Sequence, residues 1–161
     1  MTKPHGEGGR AALATEAREL LAGATRGVLS TLDPEAGYPH ASIIDLAPVK
    51  GGDIVTLLSQ LAVHRKYAEA DDRASVLIAP HLGEDDAMMR PRLTLVGHLR
   101  REDDRSVYRD SYLAVHPEAE MYLQLPDFAF FRLETERARY IAGFGRMGWL
   151  DGPELRQGSP G

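Results

Sequence analysis

The spacing of the apolar residues changes after Ala24, and this change constrains the fold of the chain more than any other feature. Before that point an apolar stripe recurs at helical spacing, in Leu13, Ala17, Leu20, Leu21 and Ala24. This stripe predicts one amphipathic helix. Beyond it the apolar residues alternate in short runs separated by turn signals such as Asp33-Pro34 and Gly51-Gly52-Asp53, which predicts strands joined by hairpins.

Seven runs have the composition of strands. They are GVLSTLD, PHASIIDLAPV, IVTLL, ASVLIA, RLTLVGHL, FAFFRLE and RARYIAG. Helices are predicted at the N-terminus, from near Ser59, and over DDRSVYRDSYLAVH. Strands and helices do not alternate regularly, so we predict an antiparallel barrel of six to seven strands with inserted helices. The folded domain is expected over residues 11–150, between flexible glycine-rich tails at 1–10 and 151–161.

The composition excludes several classes of function. The 161-residue chain has no cysteine, which removes disulfides, thiolate nucleophiles and cysteine metal sites. A net charge of −5 argues against nonspecific binding of nucleic acid, which needs a basic surface. No apolar run approaches the roughly 18 residues needed to cross a bilayer, and no signal-peptide core follows MTKPHGEGGR. We therefore expect a cytoplasmic protein that contacts neither nucleic acid nor membrane.

Three basic residues, His64, Arg65 and Lys66, fall in the first turn of the helix predicted from near Ser59. Cations there are disfavoured by roughly 0.3–1 kcal/mol each, because a helix N-terminus carries the positive end of the macrodipole. A bound phosphate would reverse the sign, and Ser59 as N-cap would add a hydroxyl. The pattern predicts an anion-binding site. The alternative is that three solvated side chains tolerate a small penalty, which salt screens further.

Two further motifs are interpreted as structural. Gly143, Gly145 and Gly148 spell G-x-G-x-x-G, but that fingerprint needs a following helix and an acidic residue about 20 positions on, so we predict a turn beside Phe144. The segment from His81 to Asp86 offers imidazole and carboxylate donors. It contains no second histidine to share a metal, so we interpret it as a hydrated loop and predict no metal site. His98 and His116 are likewise interpreted as structural.

With these elements assigned, the chain resembles the FMN-binding split-barrel superfamily typified by pyridoxamine 5′-phosphate oxidase, and within it the haem-utilisation branch. The resemblance is carried by GYPHASII, LLSQLAVHRKYAEADDRASVLI, PRLTLVGHLRRED, the His116-Pro117 step and LPDFAFFRLETERARYIAGFGR. These segments extend in order from Arg26 to Arg146. The resemblance implies a homodimeric split β-barrel that binds FMN at the subunit interface.

The resemblance also implies which residues meet the cofactor. The strand His40, Ala41, Ser42 and Ile43 would run along the flavin. Ser59 would meet the phosphate, and His64 falls where the family has a basic phosphate ligand, with Arg65 and Lys66 beside it. Arg92 falls where a polar side chain of the second subunit meets the cofactor. The vitamin oxidase holds its substrate with a histidine-containing C-terminal stretch, whereas this chain ends LDGPELRQGSPG, so pyridoxamine phosphate oxidation is not expected.

Three functions follow from these observations. The leading hypothesis is an FMN-dependent oxidoreductase acting on a small molecule, in which the flavin supplies the redox chemistry and the catalytic residues are unknown. A haem-binding or haem-utilisation protein on the same fold is the alternative, and it needs a histidine ligand to iron. The third hypothesis is a cofactor-free binding dimer, which is favoured if the basic residues near Ser59 are merely hydrated.

Overall fold

The computed structural model describes residues 7–143 and 145–156. Helix α1 spans Glu7–Ala22 and packs its apolar face on the sheet, with Leu13, Ala17 and Leu21 almost completely buried. The helix therefore begins inside the predicted N-terminal tail. A short helix, α5 (Gly152–Arg156), likewise lies inside the predicted C-terminal tail and buries Leu155.

Eight antiparallel strands form the body of the protein. Their bounds are β1 Arg26–Leu32, β2 Pro39–Asp45, β3 Ala47–Val49, β4 Asp53–Ser59, β5 Arg73–Ile78, β6 Arg92–Glu102, β7 Phe128–Gly143 and β8 Arg146–Asp151. The remaining helices are α2 Val63–Ala70, α3 Ser106–Val115 and α4 Glu120–Leu123. The predicted class, an antiparallel barrel with inserted helices, is confirmed.

The sheet curls into a barrel, because its two edge strands, β2 and β3, are consecutive in the chain and are joined by a bend. The strand order is β2-β1-β5-β6-β7-β4-β3, with β8 added beside β7. Strands β2 and β3 are separated only by Leu46, yet β2 pairs with β1 and β3 pairs with β4 at the opposite end of the sheet. The bend at Leu46 therefore joins the two ends. The Thr56 hydroxyl donates to the carbonyl of Asp45 at 2.8 Å and holds β4 against this corner. Away from the corner β2 and β4 diverge, which leaves the barrel split.

The structure differs from the predicted strands in one long element. FAFFRLE and RARYIAG were predicted as two strands, but they form the single 16-residue β7. The polar residues between them belong to a β-bulge: Val96 pairs with Arg137 and Gly97 with Thr135, so Glu136 is the extra residue. The buried carboxylate of Asp53 accepts a hydrogen bond from the Thr135 amide at 2.9 Å, which satisfies the backbone there.

Gly97 allows β6 and β7 to approach closely at this bulge. A Cβ atom at position 97 would lie 1.9 Å from the backbone carbonyl oxygen of Glu134. Because that atom belongs to backbone in the centre of the sheet, it cannot rotate away.

We predict that Gly97→Ala destabilises the protein by about 3 kcal/mol or more, because the two central strands must separate to admit the methyl group. Urea unfolding measures the loss. Gly83→Ala is the matched control, since a Cβ there meets no atom within 4 Å and its change should stay within about 0.5 kcal/mol. Equal stabilities of the two variants would contradict the assigned bulge.

Candidate functional site

The split between β2 and β4 forms a cleft of about 440 Å³, which we call the barrel cleft. Its walls are segments 43–45 of β2 and 56–59 of β4. It is also lined by Ala62, His64, Tyr112, His116, Glu118, Ala119, Tyr122 and Phe128. The start of α2 therefore lies at the open end of the cleft, and residues from α3 to α4 lie beside the corner.

The N-terminus of α2 faces the barrel cleft without a side-chain cap. The N-cap residue is Ala62, so the helix begins four residues after Ser59 and the predicted cap is wrong. Ser59 instead ends β4, where its hydroxyl donates to the Asp127 carboxylate at 3.1 Å and accepts from the Leu61 amide at 3.2 Å. Among the described contacts, the amides of residues 63–65 have no acceptor, and the first turn holds no acidic residue. This arrangement suits an anion.

Arg65 is in the first turn, as predicted, but it points into the protein. Its side chain is 6% exposed and donates to the carbonyls of Leu58 at 3.2 Å and Asp127 at 2.7 Å. Its Nε also donates to Glu69 at 3.0 Å, so its charge is neutralised within the chain. Arg65 therefore anchors α2 to the end of β4 and to the residue just before β7, and its place among the cofactor-binding residues stays a prediction.

His64 is half-buried at the cleft, next to His40 of β2. Burial lowers the pKa of His64, and the nearby imidazole of His40 lowers it further. The His64 ring is therefore mostly neutral at pH 7 until an anion approaches. Of the predicted trio of cations, Lys66 is exposed, Arg65 is paired within the chain, and the surroundings of His64 favour its neutral form.

The structure brings three of the predicted site residues into the barrel cleft: Ile43, Ser59 and His64. His40, Ala41 and Ser42 lie further along β2, outside the cleft lining, and the His40 ring packs edge-on against Tyr67. Arg92 lies on β6, where it donates to the carbonyl of Met88 at 3.0 Å. In a single chain Arg92 does not line the cleft, so its predicted role requires a second subunit.

Sequence reasoning missed the residues at the corner end of the cleft. Asp45, His116 and Glu118 offer donor atoms within 4.8 Å of one another. The only local signal was the His116-Pro117 step, which we interpreted as structural. Asp45 is 71 positions from His116, and its approach depends on the bend at Leu46, which the sequence did not reveal.

The other motifs keep structural roles. His81 pairs with Glu84 at 2.7 Å, and the guanidinium of Arg90 lies 3.2 Å from the same ring nitrogen. Gly143 and Gly145 have positive φ angles of 142° and 76° and form the turn between β7 and β8, as predicted. Phe144, which was placed beside that turn, lies outside the described residues. No helix in the described part of the chain is long and apolar enough to span a bilayer.

A family model described as CREG, beta-barrel, matches residues 9–155, almost the whole described chain. The chain belongs to this CREG beta-barrel family. The chloroplastic heme oxygenase HOZ of Arabidopsis thaliana is 37% identical over 131 residues, which make up 80% of this chain and 40% of that protein.

Solved structures of other proteins are also similar to this CREG-family chain. A heme binding protein from Mycobacterium smegmatis is 30% identical with a TM-score of 0.81, over 97% of this chain and 62% of that one. A member of the pyridoxinephosphate oxidase family from Clostridium acetobutylicum is 14% identical with a TM-score of 0.69, over 90% and 98%, which shows the fold alone. The chain spans less than two thirds of HOZ and of the mycobacterial protein. These likenesses confirm the split-barrel fold and the resemblance to the haem-utilisation branch that the sequence predicts.

We predict that Arg65→Ala destabilises the protein by about 2–3 kcal/mol, because the carbonyls of Leu58 and Asp127 lose a charged donor and α2 loses a buried side chain that holds it to β4. Urea unfolding provides the measurement. Lys66→Ala, one residue further and exposed, is the matched control and should change stability by less than about 0.5 kcal/mol. A neutral Arg65→Ala variant would refute the anchoring role.

We also predict that His64 and His98 titrate on opposite sides of the ordinary histidine pKa. A hydrogen bond to Asp72 raises the pKa of His98, assisted by the charges of Asp72 and Glu136. The stability from His98 is therefore full below the ordinary pKa and is lost as pH rises through the raised one. For His64 the sign is reversed, and stability is lost as pH falls through the lowered pKa. NMR titration of the ring protons, assigned with His64→Gln and His98→Gln, tests the order, and the reverse order would contradict the geometry.

Proposed function

We propose that the protein binds FMN in the barrel cleft and acts as a flavin-dependent oxidoreductase on a small molecule. One observation carries the proposal: the uncapped N-terminus of α2, the His64 ring and the free edge of β2 all border the same cleft. The α2 end suits a phosphate, and the β2 edge suits a flat heterocycle.

The α2 end fits a phosphate dianion by its donors. The amides of residues 63–65 have no acceptor within residues 7–143 and 145–156. A bound anion would also favour the protonated form of His64, because a negative charge offsets the effects that lower its pKa. Lys66 adds an exposed ammonium within the same turn. The Ser59 hydroxyl is occupied by Asp127 and would have to exchange that hydrogen bond in order to contact the phosphate.

The β2 edge fits the ring of a flavin. Among the described strands β2 pairs with β1 alone, so its other edge presents main-chain N–H and C=O groups toward the split. The pyrimidine end of a flavin carries both donors and acceptors and matches such an edge. Ile43, which is 73% exposed, and the rings of Tyr122 and Phe128 offer apolar surface beside it.

Bound FMN would supply reversible electron or hydride transfer. The chain itself would fix the phosphate at α2, orient the ring along β2, and exclude water with the apolar wall. We propose a homodimer, because the cleft is open on one side and Arg92 of a single chain does not line it. A second subunit would cover the ring and bring its own Arg92 to the cofactor.

Haem binding is the second candidate function. HOZ is named a heme oxygenase and the mycobacterial relative a heme binding protein, at 37% and 30% identity. In this chain the iron would need an imidazole. His40 and His64 are candidates, because neither imidazole ring has a hydrogen-bond partner among the described residues.

Reconstitution with each cofactor separates the two functions. Protein stripped of cofactor is titrated with FMN and, separately, with haemin. We expect quenching of flavin fluorescence at one FMN per chain and weaker, non-stoichiometric binding of haemin. A Soret band at one haemin per chain without FMN binding would support the second candidate, and binding of neither would refute both.

We predict that replacing His64 and Lys66 together with Ala releases FMN and leaves the protein folded, because both side chains are at least partly exposed. Equilibrium dialysis gives the FMN affinity and circular dichroism gives the fold. The control is Lys50→Ala with His81→Ala, which removes the same residue types away from the cleft. FMN retained at wild-type affinity in the double variant would refute the phosphate assignment.

A further inference from the structure

The corner end of the barrel cleft gathers one imidazole and two carboxylates. Asp45 ends β2, and His116 and Glu118 follow α3, yet donor atoms of all three lie within 4.8 Å of one another. All three residues line the cleft. A donor set of one nitrogen and carboxylate oxygens, open on one side, has the composition of a site for a divalent transition metal.

The orientation of His116 is fixed by a main-chain contact. Its side chain is only 9% exposed, and Nε2 lies 2.8 Å from the carbonyl oxygen of Leu46. A carbonyl can only accept, so Nε2 carries the proton and Nδ1 of the neutral ring keeps its lone pair. A hydrogen bond from the other ring nitrogen to a carbonyl oxygen usually orients a metal-binding histidine in this way. Nδ1 makes no hydrogen bond to the described residues, and its nearest acidic atom is Oε1 of Glu118 at 3.4 Å.

Nearby charges leave this end of the cleft negative. Oδ1 of Asp45 pairs with Arg26 at 2.9 Å, but the Arg26 side chain is 69% exposed and can move away. Glu118 is 66% exposed and is free to rotate toward the ring.

In the other described clusters of histidine and carboxylates, both ring nitrogens of the histidine already have a partner. Arg90 lies against His81 and Glu84. Both ring nitrogens of His98 are occupied, by Asp72 at 2.7 Å and Glu136 at 3.0 Å, and Arg100 pairs with Asp72. His116 differs because one buried ring nitrogen remains free and faces two carboxylates.

We propose that Asp45, His116 and Glu118 bind a first-row divalent transition metal ion through Nδ1 and the two carboxylates. The imidazole ligand disfavours Mg²⁺ and Ca²⁺, which take oxygen ligands. Two carboxylates balance a charge of +2. The remaining coordination positions face the barrel cleft and are open to a small molecule. The site needs no residue of α2, so it forms whether or not FMN is bound.

Titration with Co²⁺ tests the site, because bound Co²⁺ has visible absorption that reports its ligands. The cofactor-free full chain is titrated with Co²⁺, and competition with Zn²⁺ gives the affinity of the site for Zn²⁺. We expect one Co²⁺ per chain, displaced by Zn²⁺, and binding that weakens by roughly tenfold or more in Glu118→Gln and in Asp45→Asn. Glu118 is exposed, so its variant should stay folded.

Two controls isolate ligation from charge and from adventitious binding. Glu120→Gln removes a carboxylate two residues after Glu118 that pairs with Arg109, and His81→Gln removes a histidine that lies beside carboxylates elsewhere in the chain. Both should leave Co²⁺ binding unchanged. Absence of stoichiometric binding would overturn the proposal, as would binding lost in His81→Gln or unchanged in Glu118→Gln and Asp45→Asn. Loss of FMN binding alone would leave this metal site standing.

Discussion

The guanidinium of Arg65 determines the geometry of the open end of the barrel cleft. It joins three elements. It donates to the carbonyl of Leu58 near the end of β4, to the carbonyl of Asp127 just before β7, and to the carboxylate of Glu69 on its own helix. The Asp127 carbonyl also accepts from the Gln60 amide at 2.8 Å. A buried charge that satisfies two carbonyls holds a short helix more firmly than helix propensity could, since eight residues are too few to be stable alone.

The two ends of the barrel cleft differ in electrostatic character. At the open end, free amides and the helix dipole favour negative charge. At the corner, Asp45 and Glu118 favour positive charge. The bend at Leu46 supplies the carbonyl that orients His116 at the corner, whereas Arg65 fixes the start of α2 at the open end. The proposed FMN site and the proposed metal site would therefore share one cleft without sharing ligands.

The sequence predicted those features that depend on local periodicity. Alternation located nearly every strand, and the predicted N-terminal amphipathic helix is α1, which buries Leu13, Ala17 and Leu21. The start of α2 was misplaced because a serine that caps a helix and a serine that stabilises a turn have the same sequence signal. In the structure the Ser59 hydroxyl accepts from the Leu61 amide and donates to Asp127, and the helix begins later. Arg65 was counted as a free cation because residue type alone does not reveal burial. The corner cluster was missed because its members meet only through the tertiary fold.

The unpaired edge of β2 has a consequence beyond ligand binding. An exposed strand edge with a large apolar side chain, here Ile43, is a template for pairing with another chain. The strand carries few of the usual protective devices, apart from Pro39 at its start. Whatever fills the split therefore also shields the protein from edge-to-edge aggregation, so occupancy of the cleft and colloidal solubility are physically linked.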